Sequence, residues 1–127
     1  MARNLPDLTE RLIVQATGRV LARELQRART ARERSRGLLG TRSLPSGAGL
    51  LLELPIPIAQ VHTFAMRYPI DVVWLDEDWI VKRVVRAMPP WRLSRPVLGV
   101  HRVVEMGAGS VGDDVQPGVR LCLKEED

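Results

Sequence analysis

Apolar residues along the chain fall into short segments that turn-forming residues separate. Within a segment they either alternate with polar residues, which is typical of a half-buried strand, or form a brief uninterrupted run, which is typical of a fully buried strand. This pattern predicts strands at LLLEL (50–54), PIDVVWL (69–75), WIVKRVVRA (79–87), GVHRVVEM (99–106) and VRLCLK (119–124). An acidic turn at Asp76–Asp78 joins the second of these strands to the third as a hairpin.

The segment Arg11–Ala28 has two interpretations. Its second half has the residue spacing of a helix, whereas Thr17-Gly18 between β-branched residues predicts a hairpin in which Val14 faces Val20. We favour the hairpin because a glycine at this place is a turn signal.

A short helix is predicted over Ala31–Leu39. Thr30 followed by Glu33 is a capping-box pattern, and Gly40 stands where a C-cap glycine belongs. With about seven short strands and one helix, the pattern predicts a mainly β fold: a single compact antiparallel domain, barrel-like or a roll.

Length and composition fit this β-rich domain, which is expected over residues 11–124 after an N-terminal extension, residues 1–10. A chain of 127 residues is long enough for one domain with its own core. The single cysteine, Cys122, excludes an internal disulfide and is expected to point outward, away from Leu121 and Leu123. Without an apolar stretch of signal-peptide or membrane-span length, the expected location is cytoplasmic.

The charge pattern adds one candidate binding surface. The net charge is +4, and 17 of the 19 basic residues are arginines. Five of them crowd into Arg27–Arg36 beside a single acid, Glu33. Clustered arginines bind phosphates, but the same run is typical of a solvated helix face. The candidates for a phosphate or an acidic partner are Arg27, Arg29, Arg32 and Arg34.

The segment HTFAMRYPIDVVWLD, residues 62–76, is where any activity is expected. Asp71 stands in a strand that is apolar on both faces, so its carboxylate is expected to be covered and to need hydrogen bonds, a cation or a proton. The candidate partners are the backbone amides of the MRYP turn and the side chains of His62, Thr63 and Arg67.

Most other chemistry finds little support. His62 and His101 lack the spacing of metal ligands, so neither a metal nor a cofactor is expected. No nucleophile elbow, P-loop or dinucleotide fingerprint occurs. Whether the protein is an enzyme stays open. Trp91, the aromatic residue expected to be accessible, is either one wall of a pocket or a lid over the core edge.

An ordered series of residues carries a family resemblance. The series is Arg36-Gly37-Leu38, LLLEL, His62-Thr63-Phe64 with Met66, PIDVV, Val103-Val104-Glu105 with Gly107 and Gly109, and Pro117-Gly118. The chain thereby resembles domain-of-unknown-function family 192, also called uncharacterised protein family 0127, over nearly its whole length. The resemblance implies a compact, mostly β domain but no catalytic assignment. The chain departs from the family at Val119, where an aspartate is usual, and in lacking a glycine after Asp76.

The signature positions of the family combine into one site hypothesis. They correspond here to Arg36, Gly37, His62, Thr63, Met66, Asp71, Glu105 and Gly109. We expect the side chains of Arg36, His62, Asp71 and Glu105 to converge, either in a small concave site or in a structural polar cluster.

Three functions follow from these residues. The first is a small-ligand or partner-binding β-domain, whose pocket candidates are Arg36, His62, Thr63, Met66, Asp71, Trp91 and Glu105. The second is a hydrolase-like enzyme that uses a buried carboxylate with His62. The third is weak binding of nucleic acid or an acidic partner through Arg27–Arg36. A membrane is not among the expected partners.

Overall fold

The computed structural model describes residues 9–28 and 44–126, which form strands joined by turns and loops. The strands are β1 (Thr9–Val14), β2 (Val20–Ala22), β3 (Glu24–Ala28), β4 (Ala48–Glu53), β5 (Ile58–Ala59), β6 (Ile70–Leu75), β7 (Val81–Met88), β8 (Val97–Leu98), β9 (Arg102–Gly107) and β10 (Leu121–Glu126). The prediction of a mainly β fold is confirmed. The helix predicted over Ala31–Leu39 lies outside the described residues.

The described strands form three sheets. A five-stranded sheet has the order β3-β4-β9-β6-β7, a three-stranded sheet has the order β10-β1-β2, and β5 pairs with β8. All pairs are antiparallel except β3 with β4, which is parallel. A bridge between Ile80 and Arg120 links the two larger sheets, but the described strands do not close into a barrel.

The hairpin predicted within Arg11–Ala28 is confirmed, with two corrections. Ile13, and not Val14, is the residue that pairs with Val20, because Val14 lies opposite Arg19, to whose carbonyl its amide donates at 2.9 Å; the register shifts further on, at Leu21 in β2. The second strand also breaks at Arg23, where the chain leaves the three-stranded sheet and continues as β3 at the edge of the five-stranded one. The second strand of the predicted hairpin therefore forms β2 in one sheet and β3 in another.

Two apolar cores lie on opposite faces of the five-stranded sheet, because successive side chains of a strand point to opposite faces. The first core fills the space toward the three-stranded sheet and includes Leu12, Val14, Leu21, Leu25, Leu51, Val73, Leu75, Val104, Met106 and Leu121. The second core lies under the loops on the other face and includes Leu50, Leu52, Ala59, Val61, Met66, Ile70, Val72, Trp74, Val100 and Val103.

The hairpin between β6 and β7 turns without the glycine that is usual in the family. Asp76 accepts hydrogen bonds from the amides of Asp78 at 2.8 Å and Ile80 at 2.9 Å, which fixes the turn. Trp79 takes the left-handed conformation, with φ of 65°, and packs against the first core. The guanidinium of Arg102 lies 4.4 Å from the centre of its ring. Contacts with the first core and with Arg102 thus hold the bulky side chain of Trp79 in this turn.

Residues 56–64 and 91–98 contain or adjoin prolines, which interrupt regular strands. The two segments nevertheless run antiparallel to each other through the β5–β8 pair and a bridge between His62 and Leu93. We call these two segments the outer ribbon. Its inward residues Ala59 and Val61 belong to the second core, and its outward residues are exposed.

Candidate functional site

The carboxylate of Asp71 is buried and accepts three backbone hydrogen bonds. Its Oδ1 receives the amide of Ala87 at 2.8 Å, and its Oδ2 receives the amides of Gly109 at 3.1 Å and Val111 at 2.9 Å. Ala87 lies in a bulge of β7, where φ is 52°. Backbone amides were the expected class of partner, but they come from β7 and the β9–β10 loop and not from the MRYP turn.

Arg86, next to that bulge, holds the same loop by its carbonyl groups. Its guanidinium donates to the backbone oxygens of Val111 at 3.4 Å, Gly112 at 2.9 Å and Val115 at 2.8 Å. Asp71 thus binds amide groups of the β9–β10 loop, and Arg86 binds carbonyl groups of the same loop. We call this pair and its loop the polar clasp. All of these bonds are internal to the fold.

Glu105 is buried on the opposite face of the sheet from Asp71. In register it stands between Leu50 of β4 and Val72 of β6, both members of the second core. It has no hydrogen bond or ion pair with the residues that the structure describes. Burial among apolar groups raises the pKa of its carboxyl group to about 7.

His62, Phe64 and Trp91 form an aromatic group at one end of the outer ribbon. The rings of His62 and Phe64 stack with centroids 5.1 Å apart, and the ring of Trp91 is 6.3 Å from that of Phe64. Phe64 is 42% exposed and Trp91 is 64% exposed. Trp91, with φ of 65°, is held outward on a left-handed backbone. The accessibility expected of Trp91 is therefore observed.

Buried hydroxyl groups fix the backbone beneath this aromatic group. The hydroxyl of Thr63 donates to the carbonyl of Pro89 at 2.6 Å and accepts the amide of Arg92 at 2.9 Å. The hydroxyl of Ser94 accepts the amide of Val61 at 2.9 Å and donates to the carbonyl of Arg95 at 3.0 Å. The outer ribbon is held in place by these bonds, although its prolines interrupt a regular ladder.

The outer ribbon carries every large hydrophobic side chain that is exposed in the described part of the chain. These are Ile56, Ile58, Phe64, Trp91, Leu93 and Leu98. Ile58 and Leu98 pair directly across β5 and β8. The exposed large apolar side chains of the described residues are thus confined to this one paired element.

The structure divides the predicted site residues into separate groups. His62 and Trp91 share the surface of the outer ribbon, and Thr63 and Met66 are buried directly beneath it. Asp71 points into the first core, on the opposite face of the sheet from Glu105, which points into the second. The expected convergence of His62, Asp71 and Glu105 is thus not found, because adjacent strands place the two carboxylates on opposite faces.

Of the arginine candidates, Arg27 lies within the described residues and belongs to neither group. Arg27 donates to Glu10 at 2.6 Å and to Glu53 at 3.1 Å, so its charge is already matched within the fold. Arg29, Arg32, Arg34 and Arg36 lie outside the described residues. Among the residues that the structure does describe, no three His, Cys, Asp or Glu side chains gather as a metal site requires.

Sequence reasoning missed the apolar residues of the outer ribbon. Ile58, Leu93 and Leu98 lie in segments where the sequence pattern predicts no strand. A signal was available: residues 54–70 and 88–101 contain many large apolar residues but no aspartate or glutamate. A solvated loop is normally rich in polar residues, so this composition indicates segments that cover a core and also present an apolar face.

Fold and site together define a class: a small mainly β domain with an internal polar clasp and an exposed apolar ribbon. The sequence profile of DUF192, described as uncharacterized ACR, COG1430, matches residues 12–123. Because this match covers nearly the whole chain, the protein belongs to the DUF192 family. No curated protein matches the sequence.

Two solved structures have the same fold. A protein of unknown function from Novosphingobium aromaticivorans DSM 12444 has a TM-score of 0.79 and 20% identity, over 96% of this chain and 93% of its own. A protein from Sinorhizobium meliloti 1021, provisionally named a transcription regulator, has a TM-score of 0.74 and 22% identity, over 96% of this chain and 97% of its own. In residues 9–28 and 44–126 of the present chain, no helix has the length and apolar character to cross a membrane.

Proposed function

We propose that this protein is a partner-binding domain and that the outer ribbon is its contact surface. One observation carries the proposal: the six exposed large hydrophobic side chains of the described chain all lie on residues 56–64 and 91–98. Scattered exposed apolar residues need no explanation, but a contiguous set on one paired element does. Tryptophan and arginine, both present on this ribbon, are enriched among residues that dominate binding energy.

The rigid backbone of the ribbon supports the same proposal. A partner loses less free energy to ordering when the surface it meets is already fixed. Thr63 and Ser94 anchor the two segments through buried hydroxyl groups, and Met66 packs below them in the second core. On this proposal His62 and Trp91 contact the partner, whereas Thr63 and Met66 position the surface and Asp71 stabilises the fold.

A peptide-display selection on the purified protein tests the proposal. We expect enriched peptides to bind the wild type and to lose at least roughly tenfold in affinity with Trp91→Ala, as for a central interface aromatic. Arg120→Ala, an exposed change on another part of the surface, is the matched control and should leave binding unchanged. Failure to enrich any peptide, or binding that survives a Phe64→Ala, Trp91→Ala double variant, contradicts the proposal.

Glu105 favours a second candidate function, an enzyme that uses a buried carboxylate. A carboxyl group with a pKa of about 7 is protonated in part at neutral pH, which suits a general acid or base. The test is turnover of a panel of carboxylic and phosphoric esters between pH 5 and 9. The enzyme function predicts turnover that Glu105→Gln abolishes while the melting temperature is maintained. A wild-type protein without turnover excludes hydrolysis of these esters.

A further inference from the structure

We infer that the partner of the outer ribbon is an acidic polypeptide segment with apolar side chains. This inference rests on the proposed function and adds the chemistry of the partner. The first observation is the charge of the two segments that form and flank the ribbon. Residues 54–70 and 88–101 contain three arginines, Arg67, Arg92 and Arg95, while all 15 acidic residues of the protein lie elsewhere.

These three arginines also have no acidic partner among residues 9–28 and 44–126. The guanidinium groups of Arg67, Arg92 and Arg95 are exposed and form no hydrogen bond or ion pair with the described residues. Several arginines elsewhere are engaged: Arg19 binds Asp114 at 2.6 Å, and Arg27 binds Glu10 at 2.6 Å. Unmatched cations beside an apolar surface favour a partner that supplies carboxylates, since complementary charge speeds encounter and selects partners.

The apolar part of the surface favours a polypeptide over a nucleic acid. Four of the six exposed hydrophobic residues are aliphatic: Ile56, Ile58, Leu93 and Leu98. Single-stranded nucleic acid binds by stacking bases on free aromatic faces, but His62 and Phe64 already stack on each other. Aliphatic side chains instead match the apolar side chains of a peptide.

The spacing of the outward residues suits an extended segment. Along residues 58–64 buried and exposed side chains alternate, with Ala59, Val61 and Thr63 inward. Outward side chains of an extended chain recur at roughly 7 Å, and an extended partner presents its own alternate side chains at the same interval. An extended segment that turns apolar residues at every second position toward this face, and carries acidic residues before and after them, therefore fits both the apolar face and the arginines beside it.

Three synthetic peptides test this inference by isothermal titration calorimetry with the full chain. The peptides share leucine and phenylalanine at alternate positions of a central segment and carry Glu, Gln or Lys residues at both ends. We expect the Glu peptide to bind roughly tenfold more tightly than the Gln peptide, from several exposed ion pairs of modest strength, and the Lys peptide to bind least. Added salt should remove the advantage of the Glu peptide.

Charge variants distinguish attraction of the peptide by the ribbon arginines from attraction by the net charge of the protein. The double variant Arg92→Gln, Arg95→Gln should reduce the advantage of the Glu peptide and leave the affinity for the Gln peptide unchanged. Arg23→Gln, Arg120→Gln changes the net charge equally at exposed positions outside the ribbon and should leave the advantage intact. If both double variants reduce the advantage equally, the ribbon arginines do not select the partner, and the inference is wrong.

The remaining outcomes distinguish the inference from the proposed function. Equal binding of the Glu and Gln peptides, lost with Trp91→Ala, retains the ribbon as a binding surface but contradicts an acidic partner. Preferential, Trp91-dependent binding of a mixed-sequence single-stranded DNA replaces the acidic peptide by nucleic acid. Binding of none of these probes, together with an unproductive display selection, overturns both proposals.

Discussion

Asp71 and Arg86 both form hydrogen bonds with the backbone of the β9–β10 loop, Asp71 as the acceptor and Arg86 as the donor. The carboxylate of Asp71 accepts the amides of Gly109 and Val111, and the guanidinium of Arg86 donates to the carbonyls of Val111 and Val115. Both side chains come from the β6–β7 hairpin, so a single hairpin determines the path of the chain from β9 toward β10. Asp71, which the sequence singles out as a covered carboxylate, thus helps to fix the path of this loop.

Replacing Asp71 by alanine should destabilise the protein strongly. The change leaves three amides without acceptors, that of Ala87 in β7 and those of Gly109 and Val111 in the β9–β10 loop. Each buried unsatisfied group costs about 1–3 kcal/mol, so we expect a loss of about 3–5 kcal/mol in the free energy of unfolding, measured by urea denaturation. Asp113→Ala, an exposed acid of the same loop, is the control. A loss within about 0.5 kcal/mol, as for an ordinary surface change, would show that the clasp is not structural.

Glu105 should make the protein less stable as the pH rises from about 4.5 to 7. Its carboxyl pKa is raised from an ordinary 4.5 to about 7, so the folded state retains a proton that the unfolded state has lost. The contribution of the Glu105 carboxyl group to the free energy of unfolding is complete below about pH 4.5. It declines by about 3 kcal/mol as the pH rises to 7 and is constant above that.

The variant Glu105→Gln measures this contribution. A neutral amide has no charge to bury, so we expect the variant to exceed the wild type in the free energy of unfolding at pH 8 and to approach it at pH 4.5. Other titrating groups are common to both proteins and cancel in the difference. A variant that is less stable than the wild type at pH 8 would mean that the ionised carboxylate has a partner in the folded protein.

Much of the fold could be predicted from local pattern, because burial on one or two faces leaves its period in the sequence. The alternation in β6, with Val72 and Trp74 on one face and Val73 and Leu75 on the other, was visible in that way. The break at Arg23 was not, because it is set by the amide of that residue donating to the carbonyl of Gly47 at 2.8 Å, a contact across 24 positions.

The candidate site was harder to predict, because it also depends on contacts between residues far apart in the sequence. The sequence identified Asp71 as a covered carboxylate, but its partners lie 16 to 40 positions away. Residue type also does not reveal which face a side chain occupies relative to a residue on another strand. Asp71 and Glu105 therefore seemed compatible with one site, although their strands are adjacent and their side chains diverge.

Trp79→Gly tests whether packing outweighs backbone strain in the β6–β7 turn. Glycine relieves a left-handed conformation that costs a bulky residue about 1–2 kcal/mol. It also removes a partly buried ring that contacts the first core and the guanidinium of Arg102, a loss of about 3 kcal/mol or more. We therefore expect net destabilisation of about 1–2 kcal/mol in thermal or urea unfolding. A gain in stability would show that the glycine usual in the family is the better residue here too.

Thr63→Val should loosen the outer ribbon while leaving most of the fold intact. Valine matches threonine in shape but lacks the hydroxyl group that donates to the carbonyl of Pro89 and accepts the amide of Arg92. Leaving these two groups without that partner should cost about 2–3 kcal/mol and raise the hydrogen-exchange rate of the Arg92 amide. Thr17→Val removes an exposed hydroxyl and is the control.

The same variant connects stability with binding. If the ribbon binds because its backbone is fixed in advance, Thr63→Val should weaken binding of ribbon-dependent peptides roughly in proportion to the fraction of molecules whose ribbon is opened. The aromatic side chains of Phe64 and Trp91 remain present, so the loss would come from disorder and not from missing contacts. Faster exchange at Arg92 with unchanged peptide affinity would show that the partner orders the ribbon on binding, and that the hydroxyl of Thr63 serves folding alone.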